Sequence, residues 1–488
     1  MTTPQGTSGE APRDGPRAPS RRTVAAVSLG LMLGVLLSAL DQMIIAASLR
    51  TIADRLGGSE MQAWAMSAYL VTSVVATPIA SKLSDMYGRR PLYLAAVGVF
   101  LIGSLLCGLA PSMPWLSVFR AVQGTGAGGL MALALAILAD LLPPERRVRH
   151  QAWLGASFAV ASVAGPVLGG FFADAPTLLG LAGWRWAFLV NLPVGLAALA
   201  LVEAALRGPS PRPRGRGRRV DVLGGAALIL AVVPGLLAVE FGDGWGWASA
   251  PTLAALGAAV AGTVLFVRTE RAMGDDALLP PRLFRAPAFT AVNAVNLAAG
   301  VGIFGGLLLL PLHLQEVRGM GPTGAGLMLV PQTAAIIVAG RVVGPLAVRG
   351  WDHRKLLAGA LAVMASATVG FSFIGPGTPL WTVGAIAAAM GLGTGVFFQV
   401  VMVALQDGVP PDDVGVASGL FTFFRQIGGT VGTVALGAVA FAGADPERSI
   451  GTAFLVAGGV LATSALIPLV VLPLVTRRLH AHGAAGPE

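Results

Sequence analysis

The sequence predicts an all-α integral membrane protein with fourteen transmembrane helices, arranged as two six-helix bundles and a two-helix insert. Three observations support this fold class: an apolar composition, a series of apolar runs of about 20 residues, and a short motif that recurs in the second half. The 488 residues are 55% hydrophobic and 12% charged, and the mean hydropathy is +0.75. Soluble domains are about 25% charged, so such a chain needs lipid rather than water around much of its surface.

The expected spans are continuous runs rich in Ala, Leu, Gly and Val. A membrane β-barrel would instead show short segments of alternating hydrophobicity, so helices are expected. Six spans are expected in the first half, near residues 24–47, 61–80, 91–110, 115–138, 151–172 and 185–205. Eight more are expected after them, near residues 221–240, 250–268, 288–310, 324–348, 355–374, 379–403, 415–441 and 450–475.

A weak internal repeat divides these spans into two bundles. SKLSDMYGRRPL at 81–92 and GPLAVRGWDHRKLL at 344–357 share a small residue, a Leu, a Gly and a basic pair. The Arg- and Pro-rich stretch RGPSPRPRGRGRR at 207–219 is typical of a flexible basic linker. Seven regions are therefore expected: N-tail 1–23, N-terminal bundle 24–206, linker 207–220, two-helix insert 221–268, loop 269–287, C-terminal bundle 288–475 and C-tail 476–488.

The distribution of basic residues predicts the orientation of the chain. An even number of spans places both termini on one side, and 25 of the 33 Lys and Arg residues lie in that side's tails and loops. The positive-inside rule makes this side cytoplasmic, so we expect a multi-pass protein of the cytoplasmic membrane. The net charge of +9 is then explained by topology and by attraction to anionic lipid. Nucleic-acid binding is not expected.

Several chemistries are disfavoured by missing motifs. The chain has one cysteine, Cys107, which rules out an intrachain disulfide or a cysteine cluster for a metal. It contains no GxxxxGK[ST], HExxH or GxSxG motif, so an ATP-driven pump, a zinc protease and a serine hydrolase are not expected. We expect no enzyme activity, no metal and no cofactor.

Asp41 in span one and Arg120 in span four are ionisable residues expected in the same layer of the membrane. Such residues are costly inside a bilayer and are functional candidates by default. One reading is a structural ion pair that ties two helices together. The other is a protonation site, because burial and a nearby cation have opposite effects on a carboxylate, and a rearrangement that changes either would load or release a proton.

Other polar residues inside spans are candidates for a substrate cavity. Each also fits an interhelical hydrogen bond, and Gln123 is the strongest of them. The candidates are Gln123, Asn191, Asn293, Asn296, Gln332, Gln399, Arg425 and Gln426.

Span five carries GASFAVASVAGPVLGG at 155–170. Its glycines favour close helix packing, and Pro166 predicts a bend. The bend is either purely structural or controls sealing between the bundles, in which case bulk at Gly165 would separate them. The motif residues are Gly155, Gly165, Pro166, Gly169 and Gly170.

Together these segments resemble the major facilitator superfamily, and specifically its fourteen-helix drug:proton antiporter branch. SKLSDMYGRRPL is similar to the family's first cytoplasmic loop signature, RAVQGTGAGG at 120–129 to its helix-four motif, and GPVLGG to its antiporter motif. LDQMIIAASL at 40–49, WRWAFLVNLP at 184–193 and GVASGLFTFFRQIGG at 415–429 are similar to segments of the fourteen-helix branch. The chain departs from the family pattern at Met43, Arg50, Ser81 and Met86.

The resemblance implies roles for particular residues. Asp41 would be the proton-responsive acid and Arg120 its modulator. Asp85, Gly88, Arg89 and Arg90 would form an inner gate, and Asp140, at the end of span four, is expected to complete its charge network because a helix C-terminus attracts cations.

The resulting expectation is a proton-driven exporter of lipophilic small molecules, such as drugs or antibiotics, that works by alternating access between two bundles. Its partners would be the substrate, protons and membrane lipids, and it would act as a monomer. Asp41 is the one interior acid, against Arg120, Arg341 and Arg425, so neutral, zwitterionic or singly cationic substrates are expected. Alternatives are a lipid or natural-product exporter on the same scaffold, an uptake symporter, or a non-transporting receptor.

Overall fold

A computed structural model describes residues 21–57, 61–206, 221–348, 352–407, 409–410, 413–441 and 445–483. The expected basic linker lies outside the described residues, as do most of the N-tail and the side chains of the second motif copy up to residue 351. The described chain is almost entirely helical.

The first half and the insert contain nine helices in the described ranges. They are α1 (Arg21–Leu56), α2 (Gln62–Tyr87), α3 (Arg89–Gly108), α4 (Met113–Leu141), α5 (Pro144–Asp174), α6 (Trp186–Leu189), α7 (Asn191–Ala205), α8 (Val222–Trp245) and α9 (Ala250–Met273). A small antiparallel hairpin of β1 (Thr177–Leu178) and β2 (Leu181–Ala182) connects α5 to a 3-10 turn, Gly183–Arg185, which leads into α6.

The second half contains eight described helices. They are α10 (Pro281–Phe284), α11 (Pro287–Glu316), α12 (Pro322–Leu327), α13 (Val330–Val348), α14 (His353–Phe371), α15 (Leu380–Asp407), α16 (Val414–Phe441) and α17 (Pro446–Gly483). A 3-10 turn, Gly274–Asp276, follows α9. The last helix continues into the expected C-tail.

Every expected span coincides with a helix, but their apolar character differs. Eleven helical segments of the described chain are long and apolar enough to cross a membrane. The other three expected spans coincide with α5, with the α12–α13 pair and with α16. In α16, Arg425 and Gln426 lower the hydropathy, and this helix packs against protein on several sides. The structure thus supports an all-helical membrane fold, and the number of fourteen spans remains a prediction.

Glycines of the helix-four motif let the helices of the N-terminal bundle cross closely. A Cβ on Gly128 would lie 2.2 Å from the carbonyl oxygen of Ser73 in α2, and one on Gly126 would lie 2.4 Å from the backbone nitrogen of Phe100 in α3. No side chain fits at these distances. The backbone of α4 therefore lies directly against α2 and α3.

The insert packs at the edge of the molecule. Helices α8 and α9 pack mainly on each other, with α8 also touching α2 and α16. Only 11% of the apolar window of α9 is buried inside the protein. Such an apolar and exposed helix is suited to contact with lipid.

The two bundles meet mainly through two pairs of helices. On one side α2 packs against α16, and on the other α5 packs against α13. These helix pairs position the polar residues of each half around the contact between the bundles.

Candidate functional site

Asp41 lies within the N-terminal bundle and is fully buried. One carboxylate oxygen, Oδ2, accepts a 2.5 Å hydrogen bond from Nη1 of Arg120. The other, Oδ1, accepts hydrogen bonds of 2.8 Å from the side-chain amides of Gln123 and Asn191. All three partners are donors, and an ionised carboxylate can only accept. The arrangement therefore matches a charged Asp41 in an ion pair with Arg120.

Arg120 is also fully buried and is held from several directions. Its Nη1 donates to Oε1 of Gln123 at 2.8 Å, and its Nε donates to the carbonyl oxygen of Ala65 at 3.3 Å. Its guanidinium carbon lies 4.1 Å from the centre of the Tyr69 ring, within the range of a cation–π contact. These contacts fix the guanidinium beside Asp41.

Ser104 forms an outer layer of this site that the sequence did not single out. Its hydroxyl oxygen accepts from the side chains of Gln123 and Asn191, at 3.1 and 2.8 Å, and donates to the carbonyl oxygen of Phe188. In the sequence, Ser104 is one small polar residue in an apolar run, without a signal that distinguishes it from other serines. Its role depends on α3 packing against α4 and α7.

The structure places Gln123 and Asn191 at Asp41, in interhelical hydrogen bonds, which is the alternative that the sequence left open beside a substrate cavity. Both side chains are fully buried and both amide nitrogens point to Asp41 Oδ1. The physical reason is that a buried carboxylate requires donors for its lone pairs. These amides are therefore assigned to the ion-pair site.

The polar candidates of the C-terminal bundle are buried as well. Asn293 donates to the carbonyl oxygen of Phe289 in its own helix at 3.0 Å, while Asn296 donates across to the carbonyl oxygen of Phe421 at 2.6 Å. The side-chain oxygens of Asn293 and Asn296 accept no hydrogen bond from any residue that the structure describes. Gln399 and Gln332 are buried too, and Oε1 of Gln399 has no donor.

Arg425 is buried with a different environment from that of Arg120. Its guanidinium carbon lies 5.4 to 5.8 Å from the ring centres of Phe398, Phe421 and Phe304. Its Nε is buried and has no hydrogen-bond acceptor within the described ranges. An aromatic cage thus surrounds a cation in the C-terminal bundle.

Gln426 links the two bundles. Its Oε1 accepts a 3.0 Å hydrogen bond from Thr77 in α2, and its Nε2 lies 3.5 Å from the hydroxyl of Ser73. Thr77 also reaches the carbonyl oxygen of Gly128. This residue, expected in a cavity, is therefore part of the contact between α2 and α16.

Charged residues cluster at the end of the bundles that the sequence predicts to be cytoplasmic. Arg89 forms ion pairs with Asp85 and with Asp140, the latter at 3.0 Å. Gly88, with a φ of 102°, makes the turn between α2 and α3, a backbone conformation that favours glycine. This turn places Arg89 beside Asp85.

The other bundle sits directly on this cluster. A Cβ on Gly415, near the start of α16, would lie 2.2 Å from Oδ1 of Asp85, and one on Gly419 would lie 2.6 Å from Cβ of Ser81. A carboxylate near a helix N-terminus is electrostatically favourable. The Asp85 cluster thus holds the start of α16 against α2.

The expected gate network is incomplete in one respect. Arg90 was expected to join Asp85 and Asp140, but it forms an ion pair with Glu203 in α7. The reason is geometric, because successive residues of a helix point about 100° apart. Arg89 faces α2 and α4, and Arg90 faces α7.

The motif residues of α5 face three neighbouring helices. A Cβ on Gly165 would lie 2.2 Å from Cβ of Met43, and one on Gly169 would lie 2.6 Å from the carbonyl oxygen of Ile44. Both glycines therefore pack on α1, within the same bundle, so bulk at Gly165 would press on α1 rather than part the bundles directly. Pro166 lies near Gly326 of α12, and Gly155 lies near Ile336 of α13. A Cβ on Gly170 would have no neighbour within 4 Å.

The family model described as "Major Facilitator Superfamily" matches residues 31–433. The chain belongs to the Major Facilitator Superfamily. This family matches the resemblance read from the motifs, and it accounts for the two bundles packed around a shared contact. Among the described residues no group of three or more His, Cys, Asp or Glu is placed to hold a metal ion.

Relatives within the superfamily carry transporter names. The chain is 32% identical over 421 residues to "Multidrug transporter protein MdtP" of Bacillus subtilis, covering 86% of this chain and 75% of that one. It is 33% identical over 461 residues to an uncharacterised MFS-type transporter of Mycobacterium tuberculosis; the match covers 93% of this chain but 63% of that longer protein. The superfamily and these names indicate a membrane transporter rather than an enzyme.

A solved structure shows the same fold. The bundles match the proton:xylose symporter XylE with a TM-score of 0.63 at 17% identity, over 91% of this chain and 94% of that one. At this level of identity the likeness concerns the major facilitator fold alone.

Proposed function

We propose that this protein is a proton-driven exporter of lipophilic small molecules, working as an antiporter between two alternating conformations. The observation that carries the proposal is the Asp41–Arg120 pair, fully buried in the N-terminal bundle. An ion pair that only joined two helices is often no more stabilising than apolar residues of the same size. A functional role for the buried pair would be to gain and lose a proton during transport.

The hydrogen bonds of Asp41 suggest how a proton would be coupled to movement. Protonation of the carboxylate would remove the charge that Arg120 pairs with and convert one acceptor oxygen into a donor. The side-chain amides of Gln123 and Asn191 would then donate to a carboxyl group that no longer carries a negative charge. Since these residues lie on α4 and α7 while Asp41 lies on α1, the packing of three helices depends on the protonation state.

The contact between α2 and α16 supplies the second part of the proposal. Its charge cluster and its close glycine contacts hold the expected cytoplasmic ends together, which corresponds to a conformation closed toward the cytoplasm. Alternating access requires this contact to break once in every cycle. The transporter names of relatives support a cargo of drug-like compounds.

The experiment is transport by the purified full-length protein in liposomes with an imposed proton gradient. A panel of lipophilic dyes, antibiotics and a fluorescent lipid is offered, with and without an uncoupler. We expect accumulation of drug-like compounds that stops when the uncoupler is added. Gradient-independent transport would contradict proton coupling, and transport of the lipid alone would point to a lipid exporter.

A further inference from the structure

Arg425 is a buried cation that has no counter-charge among the residues that the structure describes. It is 5% exposed, and none of the ion pairs between described residues includes it. Its Nε has no hydrogen-bond acceptor. A guanidinium carries five N–H donors and remains charged in proteins. Arg425 therefore has N–H donors without an acceptor and a positive charge without a counter-charge in the described part of the protein.

The three surrounding phenyl rings compensate this charge only in part. Their centres lie within 6 Å of the guanidinium carbon, within the range of cation–π contacts. Such contacts offset only part of the cost of removing an ion from water, and a phenyl ring offers no lone pair to an N–H group. The three rings thus hold Arg425 in place but do not neutralise its positive charge.

The interior acid of the other bundle is already engaged. Both oxygens of Asp41 are occupied by Arg120, Gln123 and Asn191. The two interior arginines therefore differ, since Arg120 pairs with the carboxylate of Asp41 and Arg425 pairs with no carboxylate in the described part of the chain. Arg425 therefore contributes an uncompensated positive charge to the interior of the C-terminal bundle.

Arg425 is also next to the contact between the bundles. The following residue, Gln426, bonds to Thr77 of α2, and the rings around Arg425 come from α11, α15 and α16. Transporter substrates bind at the interface of the two repeats, near the middle of the membrane. Arg425 thus occupies a position from which it can meet a substrate.

We infer that Arg425 binds an ionised acidic group of the substrate, so that the exporter takes lipophilic acids in preference to their neutral esters. The inference rests on the proposed function and specifies its substrate class, which is anionic and so differs from the neutral, zwitterionic or singly cationic substrates expected from the count of interior charges. The guanidinium fork matches a carboxylate in geometry and charge. The rings of Phe304, Phe398 and Phe421 would pack on the apolar body of the substrate.

The first test compares two probes that differ in charge and by one methyl group. They are N-dansyl-phenylalanine and its methyl ester, titrated by fluorescence into the purified full-length protein. We expect the acid to bind about tenfold more tightly than the ester, or more, because a hydrogen bond to a charged group contributes about 1.5 to 3 kcal/mol. In Arg425→Gln the acid should lose that advantage while the ester binds as before. Arg425→Lys, which keeps the charge without the fork, should retain part of it.

A control variant separates the site from net charge. Arg448→Gln removes one positive charge at a side chain that is 90% exposed, and the preference for the acid should be unchanged. Equal binding of acid and ester to the native protein, absence of saturable acid binding, or equal weakening of both probes in Arg425→Gln would each overturn the inference.

Thermal stability distinguishes a ligand-binding arginine from a structural one. Removal of an unpaired buried charge should leave the melting temperature of Arg425→Gln unchanged or higher, whereas loss of a structural cation would lower it. The acid should raise the melting temperature of the native protein, because a ligand that binds only the folded state stabilises it, and should not raise that of the variant. A variant that fails to fold identifies Arg425 as structural and overturns the inference.

Transport of the same probes separates the two proposals. If the native protein prefers the acid but a proton gradient drives neither probe, the binding site stands and proton-driven export fails. If the gradient drives the ester as well as the acid, and Arg425→Gln leaves both unchanged, export stands and the inference about Arg425 fails.

Discussion

At the scale of single residues, Asp41 shows how this membrane protein keeps a charge in its interior. Three donors from two other helices surround the carboxylate, so its lone pairs are used although water has no access. Loss of one partner from a buried ion pair costs about 3 to 5 kcal/mol because the other charge is left unpaired. The Asp41 site is therefore a structural element, and under the proposed function it is also the site of proton exchange.

Asp41→Asn is predicted to abolish gradient-driven export while some substrate binding remains. The amide has nearly the size of the carboxylate but cannot exchange a proton at neutral pH. Uptake of a dye that the native protein exports, measured in liposomes with an imposed gradient, should fall to the level of empty liposomes. Gradient-driven export by Asp41→Asn would place the proton site elsewhere.

The unpaired Arg120 in that variant requires a control. The double variant Asp41→Asn with Arg120→Gln removes both charges, and we expect it to regain part of the thermal stability lost in the single variant. Export should remain absent, because the proton site is still missing. Export restored by the double variant would show that stability, not proton exchange, limited the single variant.

At the scale of helices, the motif of α5 contains glycines in close contact with another helix and a glycine without such a contact. Gly165 and Gly169 allow α1 to lie against α5, at the turn that follows Asp41, whereas Gly170 faces open space. The position of Asp41 therefore depends on a helix contact that is made only if α5 has no side chain there.

Gly165→Leu is predicted to impair coupled export strongly, and Gly170→Leu to leave it near the native level. At position 165 even the first carbon of a side chain would lie 2.2 Å from Cβ of Met43, so α1 must move, and overpacking of this kind costs about 1 to 3 kcal/mol. Export rates and melting temperatures of both variants provide the measurement. Equal export by the two variants would show that the α1–α5 distance is not critical.

At the scale of the whole molecule, the contact between α2 and α16 determines which conformation the structure represents. Asp85 and Arg89 lie against Gly415, and Ser81 lies against Gly419. The two bundles are thus joined at the end that the distribution of basic residues predicts to be cytoplasmic. If the transporter alternates, these pairs must separate.

A disulfide between Ser81→Cys and Gly419→Cys is predicted to stop transport reversibly. The two Cβ positions are 2.6 Å apart, so a shift of about 1 Å brings them to the usual Cβ separation in a disulfide. The native Cys107 is buried and should not interfere. Oxidation should block export and a reducing agent should restore it. Full export by the crosslinked protein would mean that this contact stays closed during the cycle.

Asp85→Asn is predicted to slow transport while the protein still folds. Loss of its charge removes an ion pair with Arg89 and the favourable interaction with the start of α16, so the closed conformation becomes less populated. The turnover rate of reconstituted protein, relative to that of the native protein, is the measurement. Unchanged turnover would remove this cluster from the gating mechanism.

Much of the site could be read from the chain itself because interior charges in a membrane protein are few. Asp41, Arg120 and Arg425 stand out in apolar runs, and the glycine motifs indicate close packing before any contact is known. The sequence does not show which amide side chains bind Asp41 and which one joins the two bundles. Gln123, Asn191 and Gln426 look alike in sequence, yet the first two bind Asp41 and the third joins the bundles.

The amino-acid sequence was sufficient to predict the helical membrane fold and the small set of interior charges, because apolar run length and the cost of a charge in lipid are properties of short segments. The division into two related halves stays a prediction. The partners of the interior charges, in contrast, follow from the tertiary structure. Arg89 and Arg90 are neighbours in the chain but bind acids on different helices, and Arg120 has a carboxylate where Arg425 has aromatic rings. Such pairings depend on the rotation and crossing of whole helices, which many contacts distributed over the chain set together.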